Sequence, residues 1–322
     1  MLTFIATLLI GYVSSSYVLL RKPHLLHVKK RFPFTAHHIS HRGGAGESIE
    51  NTLGAFRRAE RVGTQMIELD CRLTKDGQVV VFHDSSVDRC TGKSGQLCDF
   101  EYQSLPFYLT KLKVTFEPGH VCDCSTASPE SIVLLRDVFQ HFPNMPINID
   151  IKVNDDRLIK QVSDLITEYK REKLTVWGGM NRIVWRKCKQ VNPNLMTYPP
   201  AEYILAYVFA YHIGLLPFLP IPYDCFEMPL LPVLRSKGIM MGPFERTWWT
   251  RAILGILDFF MTSPGLYHHL KLRGIPVFTW VANSDADFRV AFKLGASGIM
   301  TDFPTRLRAF LDANPIQTSS KS

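Results

Sequence analysis

Acidic residues are missing from the first 46 positions of this 322-residue chain, and charged residues of either sign are missing from the first 20. The net charge of +8 therefore has a local origin. Six basic residues lie among the first 46 positions, whereas the rest of the chain has 31 basic and 29 acidic residues. Because no basic stripe extends over the domain, nucleic acid is not an expected partner.

Paired cysteine motifs and glycosylation sites are missing as well. The seven cysteines are scattered and odd in number, with no CxxC pair and no Asn-x-Ser/Thr sequon in the chain. These absences argue against a secreted domain held together by disulfides. The "CDC" at 122–124 lacks a second pair of ligands, so a zinc site is not expected.

The charge-free segment at 1–20 is apolar, and the basic stretch "RKPHLLHVKKR" follows it. About 20 apolar residues suffice to span a bilayer. A cleaved signal peptide is the alternative, but it would carry its positive charge before the apolar run. We therefore predict a membrane anchor at 1–20 and a basic juxtamembrane linker at 21–36. The positive-inside rule places the remaining chain on the cytosolic side.

Eight short runs rich in Val, Ile and aromatic residues recur along the chain, and most are separated by helix-like stretches. Strands that alternate with helices indicate parallel βα units. We predict an α/β protein, a closed (β/α)₈ TIM barrel at 37–310, followed by a tail at 311–322. The eight runs are 37–43, 66–71, 147–152, 174–179, 195–200, 224–229, 275–283 and 297–303.

The gap between the second and third runs, 72–146, is too long for one βα unit. Asp76-Gly77 lies between two β-like runs and predicts a hairpin. The remainder predicts an inserted lobe at about 85–140 on the rim of the barrel.

Carboxylates lie towards the ends of the second and third runs, where a barrel places its reactive side chains. Glu68 and Asp70 are two residues apart, so a strand would point both to one face. Asp150 lies on the next run. Buried carboxylates need a neutralising partner, and oxygen ligands in this number suit one divalent cation, Mg²⁺ or Ca²⁺. A salt-bridged strand end is the alternative.

Two histidines, His41 and His83, each end a β-like run beside these carboxylates, and Asp84 could orient His83. Such a pair can act as general acid and general base on a phosphate ester. Arg42 and Lys152 would hold the phosphate oxygens. A lone histidine in this position is more often structural, so the argument depends on the pair.

Four motifs, "HRGGAGESIENTLGAF", "IELDCRLTKDGQVVVFHD", "INIDIK" and "GIMTDFP", resemble the glycerophosphodiester phosphodiesterase domain family in order and spacing. The resemblance runs from about 37 to 310. With the apolar N-terminus and "LTVWGG", the chain looks most like the membrane-anchored branch that acts as lysophospholipase D.

The resemblance implies a TIM barrel, a divalent cation and two catalytic histidines, which match His41 and His83. The family's metal carboxylates match Glu68 and Asp70, with Asp150 where many members have glutamate. His83 could instead be a metal ligand, and which histidine is the acid stays open. Three further residues have less specific expected roles. Trp280 would be a pocket wall or simple core packing, and Glu50 and Asn51 would support the loop or the metal site.

A second apolar run, 203–223, contains no Asp, Glu, Lys or Arg. Because its flanks are the fifth and sixth predicted strands of one barrel, a single membrane crossing would prevent the barrel from closing. We predict a membrane-associated βα-loop helix or hairpin, with a buried core helix as the alternative. Trp248 and Trp249 precede another apolar face, within 245–263, and tryptophan prefers the membrane–water boundary.

The expected reaction is hydrolysis of lysophosphatidylcholine, lysophosphatidylethanolamine or their N-acyl forms to lysophosphatidic acid and an amino alcohol. The expected partners are thus a lysophospholipid and a membrane, in an integral protein of an endomembrane, the endoplasmic reticulum. The nearest alternative is a hydrolase of water-soluble diesters such as glycerophosphocholine. A phosphatidylinositol-cleaving phospholipase C and a non-catalytic lipid-binding membrane protein are the others.

Overall fold

The computed structural model describes residues 1–239 and 248–315. The strands are β1 (His38–Ser40), β2 (Met66–Leu73), β3 (Val79–Val81), β4 (Lys111–Lys113), β5 (Val121–Asp123), β6 (Val133–Leu134), β7 (Ile147–Ile151), β8 (Thr175–Gly178), β9 (Phe226–Pro229), β10 (Val277–Trp280) and β11 (Gly298–Thr301). The α-helices are α1 (Leu2–Arg21), α2 (Leu53–Arg61), α3 (Asp88–Thr91), α4 (Leu135–His141), α5 (Asp156–Glu168), α6 (Arg182–Val191), α7 (Ala201–His212), α8 (Leu231–Ser236), α9 (Trp248–Met261), α10 (Pro264–Leu272), α11 (Asp285–Leu294) and α12 (Pro304–Ala313).

Seven parallel strands and one irregular segment close the predicted (β/α)₈ barrel. β1 pairs with β2 and β11, β2 with β7, β7 with β8, β9 with β10, and β10 with β11. The prediction of a regular fifth strand at 195–200 is wrong. Met196 forms one bridge to Val176, and the amide of Asp224 donates to the carbonyl of Thr197 at 2.9 Å. The following Pro199-Pro200 pair cannot donate ladder hydrogen bonds, which ends regular pairing there.

Side chains alternate along each barrel strand between the helix layer and the interior, as strand geometry requires. In β2, Ile67 and Leu69 pack outward in the cluster that includes residues of α5, while Met66 belongs to the apolar cluster that fills one end of the barrel. Glu68 and Asp70 point to the same inner face as Met66 but lie further along the strand. The alternation of side chains therefore places apolar residues inside one end of the barrel and carboxylates inside the other.

The predicted insertion is built on a hairpin. β2 continues past the barrel and pairs antiparallel with β3, from Cys71↔Val81 to Leu73↔Val79, with Gly77 at φ +76° in the turn. β3 also pairs with β6, and the antiparallel β4–β5 ribbon lies between them in sequence. The loop between β4 and β5 returns to the barrel, where the Asn283 amide donates to the carbonyl of Phe116 at 3.2 Å.

In the described part of the chain, α1 is the one helix that is long and apolar enough to cross a membrane. The second apolar run does not form one continuous helix. α7 ends at His212, Gly214 adopts φ +75°, and a short 3₁₀ turn follows at Leu216–Phe218. Of the other Trp-containing stretch, residues 245–247 lie outside the described residues, and α9 begins at Trp248.

Candidate active site

The chain turns sharply after β1, and this turn positions His41 and Arg42. Arg42 itself has φ +52°, a left-handed conformation that is uncommon for a residue with a side chain. Gly43 and Gly44 also have positive φ, and a Cβ on Gly43 would lie 2.7 Å from the ring of Phe56. The glycines therefore allow the backbone to pass closely beneath the two functional side chains.

The Arg42 guanidinium is buried among carboxylates. Its Nη1 donates to Oε1 of Glu50 at 3.0 Å, and its Nε lies 3.5 Å from Oδ2 of Asp70. The backbone N–H of Arg42 donates to Oε2 of Glu68 at 2.8 Å. A guanidinium held in this way is preorganised to face an anionic group.

Glu68 and Asp70, the predicted metal carboxylates, have opposite electrostatic surroundings. Burial and then the neighbouring Asp70 raise the pKa of Glu68 to about 7. Burial alone would also raise the pKa of Asp70, but Lys152 and Arg42 hold it well below its ordinary value. The Asn51 amide donates to Oδ2 of Asp70 at 2.9 Å, so Asn51 lies against a predicted metal carboxylate.

Lys152 lies between the two predicted metal ligands Asp70 and Asp150. Its ammonium is 2.9 Å from Oδ1 of Asp70 and donates to Oδ2 of Asp150 at 2.5 Å. The Tyr198 hydroxyl donates to the other oxygen of Asp150 at 3.3 Å. Lys152 thus neutralises two carboxylates that strand pairing holds side by side, Asp70 opposite Asp150.

Each predicted catalytic histidine donates from Nδ1 to a carboxylate. His41 bonds Oδ1 of Asp302 at 2.7 Å, and His83 bonds Oδ1 of Asp84 at 2.6 Å. Burial would lower the pKa of His41, but Asp302 and Glu68 raise it above its ordinary value. Burial lowers the pKa of His83. With Nδ1 fixed, Nε2 is the ring nitrogen left for chemistry.

A chain of charged side chains connects Arg42, the neighbour of His41 in sequence, to His83. Glu50 accepts hydrogen bonds from Arg42 and, through both carboxylate oxygens, from Arg89 at 2.7 and 2.8 Å. Arg89 Nε also donates to Asp84 at 2.6 Å, and Asp84 holds His83. Glu50 therefore lies between Arg42 and Arg89, and its supporting role stays a prediction. Arg89 lies in the inserted segment, and no sequence motif indicated it.

Glu227 is a pocket carboxylate that sequence reasoning missed. It lies on β9, is buried, and accepts a hydrogen bond from the Asn148 amide at 2.8 Å. Burial, followed by Asp150 and Glu68, raises its pKa well above the ordinary value. The signal was present, because an acid at the centre of "DCFEMP" is as unusual for an apolar strand as the acids of "IELD".

Asp302 and Phe116 are two further residues of the site that were not predicted individually. Asp302 belongs to the motif "GIMTDFP", but its contact with His41 depends on the pairing of β1 with β11. Phe116 comes from the inserted lobe, and its ring lies 5.3 Å from that of His41 and 6.2 Å from that of Trp280. No local pattern distinguishes this phenylalanine from the other aromatic residues of the insertion.

These residues enclose a pocket of about 160 Å³ with a mixed lining. Trp280 is one of the lining residues. The polar part of the lining consists of His41, Arg42, Glu68, His83, Asp150, Lys152 and Glu227. The apolar part consists of Phe116, Met180, Trp280 and Met300.

The charges of the pocket fit a divalent cation. Four carboxylates, on Glu68, Asp70, Asp150 and Glu227, adjoin the cationic side chains of Arg42 and Lys152. Burial first, and then the neighbouring carboxylates, raise the pKa values of Glu68 and Glu227. Oxygen donors of this kind suit Mg²⁺ or Ca²⁺. Within residues 1–239 and 248–315, however, no three His, Cys, Asp or Glu side chains form a preassembled metal cluster. The choice of ligands stays a prediction.

The chain is similar in sequence to known proteins of one family. Residues 41–198 match the Glycerophosphoryl diester phosphodiesterase family. The chain is 44% identical over 301 residues to Lysophospholipase D GDPD1 of Homo sapiens, covering 94% of each protein. It is 35% identical over 321 residues to Lysophospholipase D GDPD3 of Mus musculus, covering 99% of this chain and 94% of that protein.

Solved structures support the barrel fold. A putative glycerophosphoryl diester phosphodiesterase from Silicibacter pomeroyi superposes with a TM-score of 0.63 at 18% identity, covering 88% of this chain and 95% of that one. A glycerophosphodiester phosphodiesterase from Agrobacterium tumefaciens superposes with a TM-score of 0.59 at 16% identity, covering 85% of this chain and 99% of that one. At such identities the likeness concerns the fold alone.

Proposed function

The chain belongs to the glycerophosphoryl diester phosphodiesterase family, and on this premise we propose that it is a membrane-associated lysophospholipase D. It is a phosphoric diester hydrolase. Its substrates are lysophosphatidylcholine, lysophosphatidylethanolamine and their N-acyl forms. The products are lysophosphatidic acid and the released amino alcohol, which keeps the N-acyl group when the substrate is an N-acyl form.

The observation that carries this proposal is the mixed lining of the pocket. Two histidines, each oriented by a carboxylate, stand among charged residues that can receive a phosphodiester. The rest of the lining, which includes Phe116 and Trp280, is apolar. This arrangement fits a molecule that is anionic at one end and apolar at the other.

The charged part of the lining would bind and orient the phosphate. Arg42 and Lys152 face its oxygens, and their partners Glu50 and Asp150 hold both cationic groups in place. A divalent cation, Mg²⁺ or Ca²⁺, held by Glu68, Asp70 and Asp150, would polarise the phosphoryl oxygens. His83 is the alternative fourth ligand of this cation.

The histidines would move the protons. Nε2 of one histidine accepts the proton of the free glycerol hydroxyl, which attacks phosphorus, while Nε2 of the other donates a proton to the departing alcohol oxygen. Water then opens the resulting cyclic phosphate, with the two proton transfers reversed. Asp302 and Asp84 orient the rings and stabilise the imidazolium form during each transfer.

The acyl chain of the substrate would lie largely outside the pocket. The pocket has a volume of about 160 Å³, which is below the roughly 300–1,000 Å³ that is typical of whole-ligand sites. The acyl chain would leave the pocket past Met180, one of its apolar lining residues. The carbonyl of Met180 accepts a hydrogen bond from the amide of Ala201 at 3.1 Å, so this exit adjoins the first turn of α7.

A hydrolase of water-soluble glycerophosphodiesters shares the charged residues of the site and is the second candidate. The apolar part of the lining and the high identity to proteins named as lysophospholipases D favour the lipid substrate. A non-catalytic lipid-binding protein would have no need for two carboxylate-oriented histidines.

We also propose that the catalytic domain lies on the cytosolic side of an endomembrane, the endoplasmic reticulum. The basic residues after α1 support this orientation. Each of the seven cysteines, all of which lie in the described residues, is a free thiol, and even Cys122 and Cys124, whose sulfurs are 3.7 Å apart, are not bonded. Free thiols are typical of a reducing compartment.

The test compares head-group release from lysophosphatidylcholine and from glycerophosphocholine by the full-length protein in detergent, titrated with Mg²⁺ and with Ca²⁺. We expect metal-dependent release of choline with a preference for the lysolipid. His41→Ala should abolish it. Full activity of that variant would overturn the assignment of the site, whereas a preference for glycerophosphocholine would establish the second candidate.

A further inference from the structure

α1 packs against the barrel domain through a polar residue and leaves its apolar residues exposed. Ser16 is the only residue of this helix that is buried, with 5% of its surface exposed. Its apolar residues face outward, for example Phe4, Ile10 and Val13, which are 68%, 67% and 59% exposed. A helix that docks in water buries its apolar stripe. Polar or small residues inward and apolar residues outward are instead typical of helices that pack inside a bilayer.

The hydroxyl groups of α1 bond two carbonyl groups just beyond the end of α7. The Tyr12 hydroxyl donates to the carbonyl of Ile213 at 2.6 Å, and the Ser16 hydroxyl donates to that of Gly214 at 2.8 Å. The Tyr12 ring also stacks on Phe218, with centroids 5.9 Å apart. Carbonyl groups at the end of a helix have no partner within it, and in hydrocarbon no water could supply one.

These two hydrogen bonds fix the depth of Ile213 and Gly214 relative to α1. α1 ends at Arg21, a residue that belongs at the membrane surface. With a rise of 1.5 Å per residue, Ser16 lies roughly 7.5 Å and Tyr12 roughly 13.5 Å along the helix axis from Arg21. The hydrocarbon of one leaflet is about 15 Å thick. When α1 spans a bilayer, Ile213 and Gly214 lie at the depth of their partners, inside one leaflet.

α7 and α9 present an apolar face beside this segment. On α7, Leu205 and Phe209 are 49% and 64% exposed, and on α9 Ile256 and Phe259 are 55% and 71% exposed. The two helices are joined at their C-terminal ends, where Nε2 of His212 bonds the carbonyl of Phe260 at 2.9 Å.

The polar residues of α9 are also placed as expected if its apolar face and its C-terminal end point into the bilayer. Asp258 turns away from the apolar face and forms an ion pair with Arg235 of α8. Trp248 and Trp249 stand at the opposite end of α9 from Phe260 and are 82% and 52% exposed. Tryptophan at one end and phenylalanine at the other is the distribution of a helix that enters a leaflet from its surface.

We propose that the C-terminal ends of α7 and α9 and the turn at 213–218 insert into one leaflet of the bilayer beside α1, without crossing it. The apolar face of α7 and α9 is covered by lipid acyl chains. The serine and tyrosine hydroxyls in the middle of α1 provide hydrogen bonds to the inserted backbone. This proposal stands apart from the reaction that the pocket catalyses.

The test places a thiol-reactive fluorescent probe at one introduced cysteine in the full-length protein that carries Cys98→Ser and Cys124→Ser, whose remaining native thiols are buried. The protein is reconstituted in phosphatidylcholine nanodiscs. Phe209→Cys and Phe259→Cys report on the proposed face. Phe107→Cys is the matched control, because Phe107 is 63% exposed but lies in the inserted lobe. Leu9→Cys reports on α1. Lipids with a spin label on the acyl chain quench a probe that lies in the hydrocarbon.

We expect loss of fluorescence at positions 9, 209 and 259 and none at 107. Quenching at position 9 without quenching at 209 and 259 would overturn the proposal, since α1 would then enter the bilayer alone. Absence of quenching at position 9 would overturn it as well, because the depth argument requires α1 to span. Equal quenching at 107 and 209 would show that the face is not specific and would also contradict it.

Discussion

Nδ1 of His41 lies 2.7 Å from Oδ1 of Asp302, although 261 positions separate the two residues in the chain. Asp302 is held from its other side by the Asn283 amide, which donates to Oδ2 at 3.0 Å. With both oxygens occupied, the carboxylate has one orientation, and it fixes the tautomer of His41. Asp302 is therefore a positioning residue for a histidine that is proposed to transfer protons.

Replacing Asp302 by asparagine should lower kcat by about 10²–10⁴-fold with a small change in KM, because an amide can favour the wrong tautomer of His41. Steady-state kinetics with lysophosphatidylcholine measure both constants. Asp285→Asn, an exposed position on the neighbouring helix α11, is the matched control. A kcat close to that of the unmodified protein would show that His41 needs no orienting carboxylate.

Glu227→Gln should leave the stability of the protein unchanged or higher while lowering its metal affinity or activity. Gln can still accept the hydrogen bond from Asn148, and it removes one acid from a crowded, buried group of carboxylates. We expect an unchanged or higher melting temperature but a roughly 10–100-fold loss of metal affinity or activity. Calorimetric titration with Mg²⁺ and Ca²⁺ gives the affinity, with Glu168→Gln on the surface as control. Unchanged metal binding would show that Glu227 does not support the metal site.

Phe116→Ala should impair the lipid substrate selectively. Loss of a buried aromatic contact costs about 1.5–3 kcal/mol, which corresponds to roughly 10–100-fold in kcat/KM for lysophosphatidylcholine. The loss with glycerophosphocholine should be much smaller, because that molecule has no acyl chain. Phe107→Ala in the same lobe should change neither value. Equal losses on both substrates would instead assign Phe116 to the head group or to His41.

Glu50→Ala should destabilise the fold as well as inactivate the enzyme. It leaves the buried Arg42 and the partly buried Arg89 without a shared carboxylate, and removing one partner of a buried ion pair costs about 3–5 kcal/mol. Chemical unfolding in detergent measures the free energy of unfolding. The exposed Glu60→Ala change on α2 should have little effect. A loss no larger than that of the control would contradict the role assigned to this network.

Ser16→Ala should weaken the attachment of α1 to the domain by roughly 0.5–2 kcal/mol, the range of hydrogen bonds between membrane helices. Ser15→Ala is a close control, since the Ser15 hydroxyl bonds the carbonyl of Gly11 within its own helix. Thermal unfolding in micelles and in nanodiscs should show the larger shift for Ser16. Identical shifts for the two serines would contradict a specific bond to Gly214.

Local sequence predicted the features that depend on short-range geometry. The two-residue spacing of Glu68 and Asp70 put both on the inner face of β2, and Asp76-Gly77 marked the β2–β3 hairpin. The regular fifth strand was wrong because apolar composition does not reveal backbone pairing, and two prolines end that segment. Whether residues 203–223 associate with lipid stays a prediction, although the structure gives it a specific partner in α1.

By itself the sequence determined the barrel class, the two histidines, and the acids and bases grouped around them, since each follows from residue types at fixed spacing along strands. Only the tertiary structure decided which groups meet. Closing the barrel brings Asp302 to His41 and Glu227 to Asp150 and Glu68, and folding of the inserted lobe brings Arg89 to Glu50 and Phe116 over the pocket. Those contacts join segments far apart in the chain, and no local pattern encodes a distance between them.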